Sequence, residues 1–336
     1  MNSKVDSHST IWAISYSDET YSMSKKLCLF TAKYVGKANH IIAYSPEDLE
    51  ERFKEENKKI LSNKRGAGYW IWKPYIMLKT LERMNEGDFL IYTDAGLIYV
   101  NQITELTRQL DRDQKDIFLS YGIAPCSDWC KRDAFILMDC DCAEARDTIM
   151  VSGGYVLVRK SRQSIDFLNE WMRYMCDPRI VTDDANVCGY SNYPGYRENR
   201  HDQSVLSLLA WKWGIEPYKA VACVDQPSSH LNVKKNAPSA YKYSYQKILC
   251  LIYFEHQKMG YIRSDYQRIF INTRLRNMNI LPYCISLIKT IISIWKQDAW
   301  GRKNNAVEID RSRRRLLREG SIDETNMERF KNGIVG

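Results

Sequence analysis

The stretch Asp88–Gly96, which reads DFLIYTDAG, decides the fold of this chain. Its apolar part, Phe89–Tyr92, has the length and composition of a strand that is buried on both faces. Ligands of open α/β sheets bind at the carboxyl ends of the strands, and Asp94 stands there, followed by two small residues. A carboxylate with space beside it suits a divalent cation that holds a diphosphate. An aspartate close to a glycine is also common in ordinary turns, and that alternative stays open.

Segments with strand and helix patterns alternate on both sides of this stretch. Thr10–Tyr16 and Ile41–Tyr44 are short and apolar, as strands are, whereas Tyr21–Val35 has apolar residues at helical spacing. Those residues are Met23, Leu27, Phe30 and Tyr34. Further helices are predicted at Pro46–Lys59, Trp70–Met84 and Gln203–Trp213, and further strands at Asp116–Leu119, Gly154–Val158 and Glu216–Cys223. Such alternation predicts an α/β fold with a mostly parallel sheet flanked by helices.

The composition is that of an ordinary globular protein with a basic balance. The chain has 336 residues and a formal net charge of +8, from 49 lysines and arginines against 41 aspartates and glutamates. With 44% hydrophobic and 27% charged residues it can bury a sizeable core, which excludes wholesale disorder and collagen-like or coiled-coil architectures. The positive balance favours anionic partners such as a nucleoside diphosphate or anionic lipid. The polar start MNSKVDSHST argues against a secretory signal, so the ten cysteines are expected as thiols in a reducing cytoplasm.

The composition changes near residue 275. An apolar segment, Ile280–Trp295, precedes a basic one, Arg311–Arg318, and the apolar segment is shorter than the roughly 18 to 20 residues that cross a bilayer. We therefore predict a catalytic domain over residues 1–275 and a helical, basic C-terminal appendage over residues 276–336. The appendage could dock on an anionic membrane face, or its apolar helix could pack on the catalytic domain.

Two glycine-containing segments are suited to a phosphorylated ligand. In Arg65–Pro74, which reads RGAGYWIWKP, the glycines let the backbone approach a ligand, and Arg65 and Lys73 add positive charge. The segment lacks the GxxxxGK(S/T) spacing of a P-loop. The second segment, Ser152-Gly153-Gly154, stands directly before a predicted strand. Each segment alone is also typical of an ordinary turn.

Asp202 lies between His201 and Gln203 at the start of a predicted apolar helix, after the long polar loop Pro178–Tyr196. A carboxylate in this position is suited to accept a proton from an acceptor hydroxyl. A helix N-cap, worth about 1 kcal/mol, is the structural alternative.

Taken in order, these motifs resemble bacterial glycosyltransferases of the GT-A fold that build polysaccharides. The resemblance covers residues 10–260 and rests on the order and spacing of SY, RGxGYWxWKP, YxDxG, KRD, SGG and HDQS. It implies a transferase that moves a sugar from a nucleotide-sugar, with a UDP-linked sugar as the first candidate, to a hydroxyl of a glycan or a lipid-linked saccharide in capsular or surface polysaccharide synthesis. The roles it implies are nucleotide binding by Ser15, Tyr16 and Arg65, diphosphate or metal binding by Asp94, lining of the donor sugar by Ser152, Gly153 and Gly154, and acceptor-side catalysis by His201 and Asp202.

The resemblance is incomplete at Gly96, where the family's acidic motif, Asp-any-Asp, has a second aspartate. A Mn²⁺ or Mg²⁺ ion held by Asp94 would then need another ligand, for which His256 or His230 is the candidate. Alternatively, basic side chains neutralise the leaving diphosphate. The candidates for that role are Arg65, Lys73, Lys131 and Arg132.

Other features that resemble sites have simpler explanations. Asp183-Asp184 is typical of a solvated turn, and Arg132 is as well suited to pair with Asp133 as to bind substrate. Four cysteines are close in sequence, but their spacing does not follow the paired CxxC pattern of a zinc site. They are Cys126, Cys130, Cys140 and Cys142.

Two other functions stay open at this point. A sugar-nucleotidyltransferase shares the sheet but usually has a basic, glycine-rich signature near its N-terminus, which SYSDETYSMS does not provide. A non-catalytic basic module could bind anionic lipid or nucleic acid through its tail, although no helix-turn-helix, zinc-finger or RNP-type motif favours nucleic acid. We expect an enzyme in the cytoplasm, peripheral at the inner face of the membrane, without a nucleic-acid partner.

Overall fold

The computed structural model describes residues 9–99, 101–218, 222–223 and 269–272. Its strands are Ile11–Tyr16 (β1), His40–Tyr44 (β2), Phe89–Thr93 (β3), Leu97–Tyr99 (β4), Ile117–Phe118 (β5), Tyr121–Pro125 (β6), Ile149–Val151 (β7), Tyr155–Arg159 (β8), Ala222–Cys223 (β9) and Phe270–Asn272 (β10). Its helices are Ser22–Tyr34 (α1), Glu51–Glu56 (α2), Lys58–Leu61 (α3), the helix-like turn Gly66–Tyr69 (α4), Trp72–Leu81 (α5), Thr104–Asp113 (α6), Cys126–Trp129 (α7), Arg132–Leu137 (α8), Ala143–Asp147 (α9), Arg162–Met175 (α10), Pro178–Val181 (α11) and Asp202–Lys212 (α12). Two short 3-10 helices, Glu19–Tyr21 and Pro46–Asp48, precede α1 and α2.

Five strands form the central sheet in the order β2-β1-β3-β8-β5. Strand β1 pairs in parallel with β2 and β3, whereas β8 runs antiparallel to β3 and β5. Four of the five strands therefore point in one direction, which confirms the predicted α/β fold with a mostly parallel, mixed sheet. Strands β1, β2 and β3 end at one edge of this sheet, here called the carboxyl edge, and β8 begins there because Tyr155 pairs with Thr93.

Strand β3 is buried along its whole length, as the apolar run in DFLIYTDAG predicts. Leu90 and Tyr92 belong to a core cluster on the side of α5, α10 and α12, while Phe89 and Ile91 belong to a second cluster on the side of α1 and α6. Because successive residues of a strand point to opposite faces, one short segment supplies both clusters. Asp94 follows directly after β3, where the run of buried side chains ends.

The helical segments differ from the sequence predictions at several boundaries. The predicted helix Pro46–Lys59 is divided into three pieces. Leu49 and Glu50, with extended ψ of 127° and 145°, separate the 3-10 helix from α2, and Asn57, with φ of −114° and ψ of 20°, separates α2 from α3. The predicted helix Trp70–Met84 begins two residues later, because Trp70 is left-handed with φ of 61°. The segment 128–133 contains the end of α7 and the start of α8.

Helix α1 turns its small side chains toward the sheet. Cys28 and Ala32 pack in the second core cluster, and Thr31 donates from its hydroxyl to the carbonyls of Leu27 and Cys28. Leu29 is buried as well, whereas three other large apolar side chains of this helix, Met23, Phe30 and Tyr34, are exposed.

Part of the predicted organisation lies outside the described residues. This holds for the appendage over residues 276–336, the domain boundary near residue 275, and both candidate metal-ligating histidines, His230 and His256. Within the described residues, no helix has the length and apolar character needed to span a bilayer.

Candidate active site

Asp94 lies at the carboxyl edge, directly after β3. Its backbone N–H donates to the Gly154 carbonyl at 2.8 Å, which ties it to the start of β8. The Tyr92 hydroxyl donates to Asp94 Oδ1 at 2.6 Å, and burial of Tyr92 together with the nearby Asp94 charge raises the pKa of that phenol well above its ordinary value. The Asp94 side chain is 36% exposed, so a ligand can reach it.

The ammonium of Lys73 joins two carboxylates. It lies 2.7 Å from Asp202 Oδ2 and 3.0 Å from Asp94 Oδ1, and it donates to the Gly153 carbonyl at 2.8 Å. Lys73 is in the first turn of α5, Asp202 begins α12 and Asp94 ends β3, so three distant segments meet at one charge. Lys73 and Asp202 are both buried. We call Lys73, Asp94 and Asp202 the Lys73 cluster.

Burial and charge act in opposite directions within the cluster. Burial would lower the pKa of Lys73, but the attraction of Asp202 and Asp94 outweighs it and raises the pKa of this lysine above its ordinary value. For Asp202, burial is the largest effect and raises the pKa of the carboxyl to about 6, against the attraction of Lys73, which lowers it. Lys73 is therefore a fixed cation near neutral pH, whereas Asp202 changes its charge slightly below neutrality.

This raised pKa predicts a specific pH dependence of stability. In the unfolded chain an aspartate titrates near a pH of about 3.9, so between about pH 4 and pH 6 the folded protein binds the Asp202 proton more tightly than the unfolded chain does. Relative to the Asp202→Asn variant, the free energy of unfolding of the wild type should fall by roughly 3 kcal/mol as pH rises through this interval, and then stay constant.

Urea unfolding of both proteins from about pH 4 to about pH 8 measures this difference. Because the amide of the variant does not titrate, ionisations elsewhere in the chain cancel in the comparison. Curves for the two proteins that stay parallel across the whole interval would show that the Asp202 carboxyl titrates in its ordinary range.

Two glycines let the backbone lie against the cluster. A Cβ atom at Gly153 would lie 3.2 Å from Asp202 Oδ2 and 3.1 Å from Cβ of Gln203, closer than most such contacts. A Cβ atom at Gly154 would lie 3.7 Å from Asp94 Oδ2, the oxygen of Asp94 that does not contact Lys73. The glycines therefore permit the Gly153 carbonyl to accept from Lys73 and leave space in front of Asp94 Oδ2.

His201, the residue before α12, is buried and strained. Its backbone has φ of 52° and ψ of −110°, an unusual conformation for a residue with a side chain. Nδ1 donates to the Val181 carbonyl at 2.6 Å, since a carbonyl can only accept. The rings of Tyr69 and Trp70 lie against the imidazole, with centroids 4.5 Å and 5.7 Å away. Burial is the main cause that lowers the pKa of His201, which favours the neutral ring.

The segment before α5 reaches this position through a left-handed turn. Residues 66–70 all have positive φ, and a side chain in that conformation costs about 1–2 kcal/mol per residue. Glycine avoids the cost at two of the five positions, Gly66 and Gly68. The turn places Tyr69 and Trp70 against His201 and leads directly into the helix that carries Lys73. Strain of this kind is more often found at functional sites than elsewhere.

The structure brings some of the predicted basic residues near the cluster and not others. Arg65, beside the left-handed turn, pairs with Asp183 at 3.4 Å and Glu198 at 3.2 Å. Arg132 pairs instead with Asp141 at 2.8 Å and stacks on the Tyr193 ring, 3.9 Å from its centroid, and no contact joins it to the Lys73 cluster within the described residues.

The sequence left open whether Arg132 pairs with Asp133 or binds substrate, and the structure does not show that pairing. Asp133 accepts instead from the backbone N–H groups of Val187 and Cys188, at 2.7 Å and 3.1 Å, because its carboxylate is buried against the loop after α11. Lys131, another predicted cation, donates to the Asp184 carbonyl at 2.8 Å.

The end of β1 adds polar groups to the same edge. Ser15 and Tyr16 are buried, and the Tyr16 ring stacks on Trp72 with centroids 3.9 Å apart. Just beyond them, Ser17 Oγ and Asp18 Oδ1 are buried and have no hydrogen-bond partner in the part of the chain that the structure describes. Buried polar atoms without partners are costly unless a ligand satisfies them.

Sequence reasoning missed two residues at this edge. Lys25, in the first turn of α1, donates to the carbonyls of Ser17 and Tyr44, at 3.2 Å and 2.6 Å, and so places a positive charge where β1 and β2 end. Tyr92 donates to Asp94, but an aromatic residue in an apolar run is indistinguishable from a core residue in the sequence. The position of Lys25, one turn into the helix that follows β1, could have indicated a positive charge near the end of that strand.

Among the described residues, nothing completes the ligand set of a divalent cation at Asp94. Such a cation takes about six oxygen ligands, several from the protein, whereas Asp94 Oδ1 already contacts Tyr92 and Lys73. The ammonium of Lys73 also lies where it would repel a second cation. No group of three or more potential metal ligands occurs among the described residues, the buried Cys126, Cys130 and Cys140 included.

Comparisons with known proteins find solved structures that align with this chain at low sequence identity and low TM-score. No protein-family model matches the chain, and no curated protein matches it in sequence. Solved structures that align with it include mouse xyloside xylosyltransferase 1, with 11% identity over 79% of this chain and 97% of that chain and a TM-score of 0.41. An active-site mutant of LgtC aligns with 14% identity over 78% of this chain and 86% of that chain, with a TM-score of 0.36.

The apo form of the glycosyltransferase GlyE of Streptococcus pneumoniae aligns with 12% identity over 87% of this chain, with a TM-score of 0.32. The chain spans 64% of GlyE and 38% of the bifunctional glycosyltransferase WbbM, which is 10% identical over 62% of this chain with a TM-score of 0.35. At this level of similarity a functional assignment has to come from the geometry of the site.

Proposed function

We propose that this chain is a glycosyltransferase of the GT-A type. It transfers a sugar from a nucleotide-sugar, with a UDP-linked sugar as the first candidate, to a hydroxyl of a glycan or a lipid-linked saccharide in surface or capsular polysaccharide synthesis. The observation that carries the proposal is the Lys73 cluster. A buried ammonium holds one buried and one partly exposed carboxylate beside two glycines, at the edge of the sheet where ligands bind.

The chemistry of sugar transfer requires charges of both signs at this edge. Breaking the bond between the anomeric carbon and the diphosphate develops negative charge on the phosphate and positive charge on the sugar ring. Asp94 offers a carboxylate oxygen, Oδ2, that can accept hydrogen bonds from sugar hydroxyls and stabilise positive charge on the ring. Because Lys73 and Tyr92 fix the other oxygen, this acceptor is oriented before substrate binds.

The nucleotide is assigned to the ends of β1 and β2. Ser15 and Tyr16 end β1, Ser17 Oγ and Asp18 Oδ1 follow, and Lys25 supplies a positive charge there. Arg65 is assigned to the opposite side of the cluster, where its pairs with Asp183 and Glu198 can exchange for contacts with substrate. Ser152, Gly153 and Gly154 would line the sugar between these regions.

Asp202 and His201 are proposed as positioning residues. The Asp202 side chain is only 6% exposed and its carboxylate is paired with Lys73, so it acts on Asp94 through that lysine. His201 is held by the Val181 carbonyl and two aromatic rings, and it fixes the start of α12. The role of base for Asp202, predicted from the sequence, requires contact with the acceptor hydroxyl and stays a prediction.

Nucleotide binding provides the first test. We expect UDP to raise the thermal unfolding temperature of the full chain by several degrees, since a ligand at about 100 times its Kd adds about 2.7 kcal/mol of stability. GDP, ADP and a DNA oligonucleotide serve as comparison ligands, and a nucleotide-release assay over a panel of nucleotide-sugars then identifies the donor. Stabilisation by DNA alone would contradict the proposal and favour a basic module, while pyrophosphate release from a nucleoside triphosphate and a sugar phosphate would favour a nucleotidyltransferase.

The cellular location is part of the same proposal. We propose an enzyme of the cytoplasm that acts at the inner face of the membrane, where lipid-linked acceptors are found. In the sequence prediction the C-terminal appendage makes that contact through Ile280–Trp295 and Arg311–Arg318.

A further inference from the structure

Helix α1 has an apolar surface flanked by lysines that the proposed transfer reaction does not use. The side chains of Phe30 and Tyr34 are 58% and 56% exposed, and their ring centroids are 4.6 Å apart. We define the α1 surface as Met23, Leu27, Phe30 and Tyr34 together with the flanking Lys26 and Lys33.

Helix α1 exposes large apolar side chains on one face, although it also buries Leu29. Residues 23, 27, 30 and 34 lie on one face because they are spaced three or four positions apart. The opposite face, with Ser24, Cys28 and Ala32, is buried against the sheet. A helix at the surface of a globular protein normally puts its polar side outward. Large apolar side chains grouped on the outer face therefore indicate a contact with another molecule or with a membrane.

Strand β2 extends this apolar area. Ile41 is 40% exposed and pairs in register with Ala13, which packs with Cys28 of α1, so Ile41 points to the α1 side of the sheet. The described part of the chain has six exposed large hydrophobic side chains, and four of them are in α1 and β2. The other two, Val187 and Tyr190, are in the loop after α11.

The charged side chains of α1 itself have one sign, whereas the exposed Glu19 lies one turn before Met23. Residues 21–46 contain four lysines and no aspartate or glutamate. Lys25 turns inward to the carbonyls of Ser17 and Tyr44, whereas Lys26 and Lys33 are exposed. Lys33 Nζ lies 5.8 Å from the centroid of the Tyr34 ring, so the apolar and the positive groups are adjacent. A second copy of the chain docked symmetrically here would bring lysines against lysines, which disfavours self-association.

We propose that the α1 surface docks on an anionic lipid bilayer. The rings of Phe30 and Tyr34 would enter the boundary between headgroups and acyl chains, and Lys26 and Lys33 would contact lipid phosphates. The proposal needs neither the transfer activity nor the C-terminal appendage, because it rests on residues of the described fold alone.

Vesicle binding by the full-length protein tests this inference. Flotation is measured with vesicles of phosphatidylglycerol and phosphatidylcholine in equal parts and with vesicles of phosphatidylcholine alone, at low and at high salt. We expect the wild type to bind the anionic vesicles preferentially at low salt, because screening weakens the lysine contacts. The variants Phe30→Ser/Tyr34→Ser and Lys26→Gln/Lys33→Gln should each bind the anionic vesicles at least about tenfold more weakly.

The control is the variant Val187→Ser/Tyr190→Ser, which removes side chains that are 65% and 60% exposed from the other apolar position. It should bind vesicles as the wild type does, and thermal unfolding should show that all variants remain folded. No binding by the wild type overturns the inference. So does equal binding by wild type and the α1 variants, or a wild-type dimer that Phe30→Ser/Tyr34→Ser converts to a monomer, since the surface would then join two copies of the chain.

Discussion

Replacing Asp94 with asparagine is expected to reduce kcat/KM for sugar transfer by about a thousandfold while the fold is retained. The amide has the size of the carboxylate and its oxygen can still accept from Tyr92, but it lacks the negative charge that would stabilise the sugar ring. The side chain is 36% exposed, so the loss of charge has a small effect on stability. Release of nucleotide and formation of the glycosylated product measure the rate, and urea unfolding measures the stability.

Asp116→Asn is the matched control. Asp116 also pairs with a cation, Arg159, at 3.2 Å, but Arg159 ends the antiparallel strand β8 and therefore lies at the opposite edge of the sheet. This variant should transfer sugar at nearly the rate of the wild type. Near-normal turnover by a folded Asp94→Asn variant, or an equal loss in both variants, would remove Asp94 from the reaction.

The elements that carry the site were predictable from the sequence because local signals and tertiary packing agree there. The run Phe89–Tyr92 is apolar at every position, as a strand buried on both faces requires, and β3 is such a strand. The glycines 153 and 154 do precede a strand, and the motif HDQS does open a helix. In each case a change between apolar residues and small or polar residues marks a boundary of an element, the end of β3 or the start of β8 and of α12.

The contacts within the site could not be read from the sequence. Lys73 was expected near a phosphate because a lysine after a glycine-rich segment is typical of such sites, yet its ammonium is enclosed by Asp94, Asp202 and the Gly153 carbonyl. Which charges meet depends on how α5 and α12 pack on the sheet, and no local pattern encodes that. The exposure of the apolar face of α1 could not be predicted for a similar reason. Apolar residues at helical spacing form the same sequence pattern whether that face is buried or exposed.

The net charge of the site follows from these contacts. With both aspartates ionised the Lys73 cluster carries one negative charge, and protonation of Asp202, whose pKa is about 6, makes it neutral. Because the Lys73 ammonium is enclosed by Asp202, Asp94 and the Gly153 carbonyl, we expect other cations to stabilise the diphosphate. Among the described residues, the candidates are Lys25, where β1 and β2 end, and Arg65, beside the left-handed turn.

Replacing Lys73 with methionine is expected to destabilise the folded protein by about 3–5 kcal/mol. Methionine fills a similar volume, but Asp202 is then a buried carboxylate without a counter-charge, and Asp94 loses the contact that orients it. Urea unfolding at neutral pH measures the loss. Lys79→Met is the control on the same helix, because Lys79 pairs with the exposed Glu50 at 3.1 Å, and it should change the free energy of unfolding by less than about 1 kcal/mol.

The double variant Lys73→Met/Asp202→Asn distinguishes two causes of the loss of stability, the unpaired charge of Asp202 and the altered packing of α5. Removing the Asp202 charge should restore most of the lost stability, because replacing both members of a buried pair is far less costly than removing one. Sugar transfer should not return, since Asp94 still lacks the ammonium that holds it. A double variant as unstable as the single one would assign the loss to packing of α5, and recovered transfer would show that Lys73 serves only to neutralise Asp202. The double variant remains informative even if the single variant fails to fold.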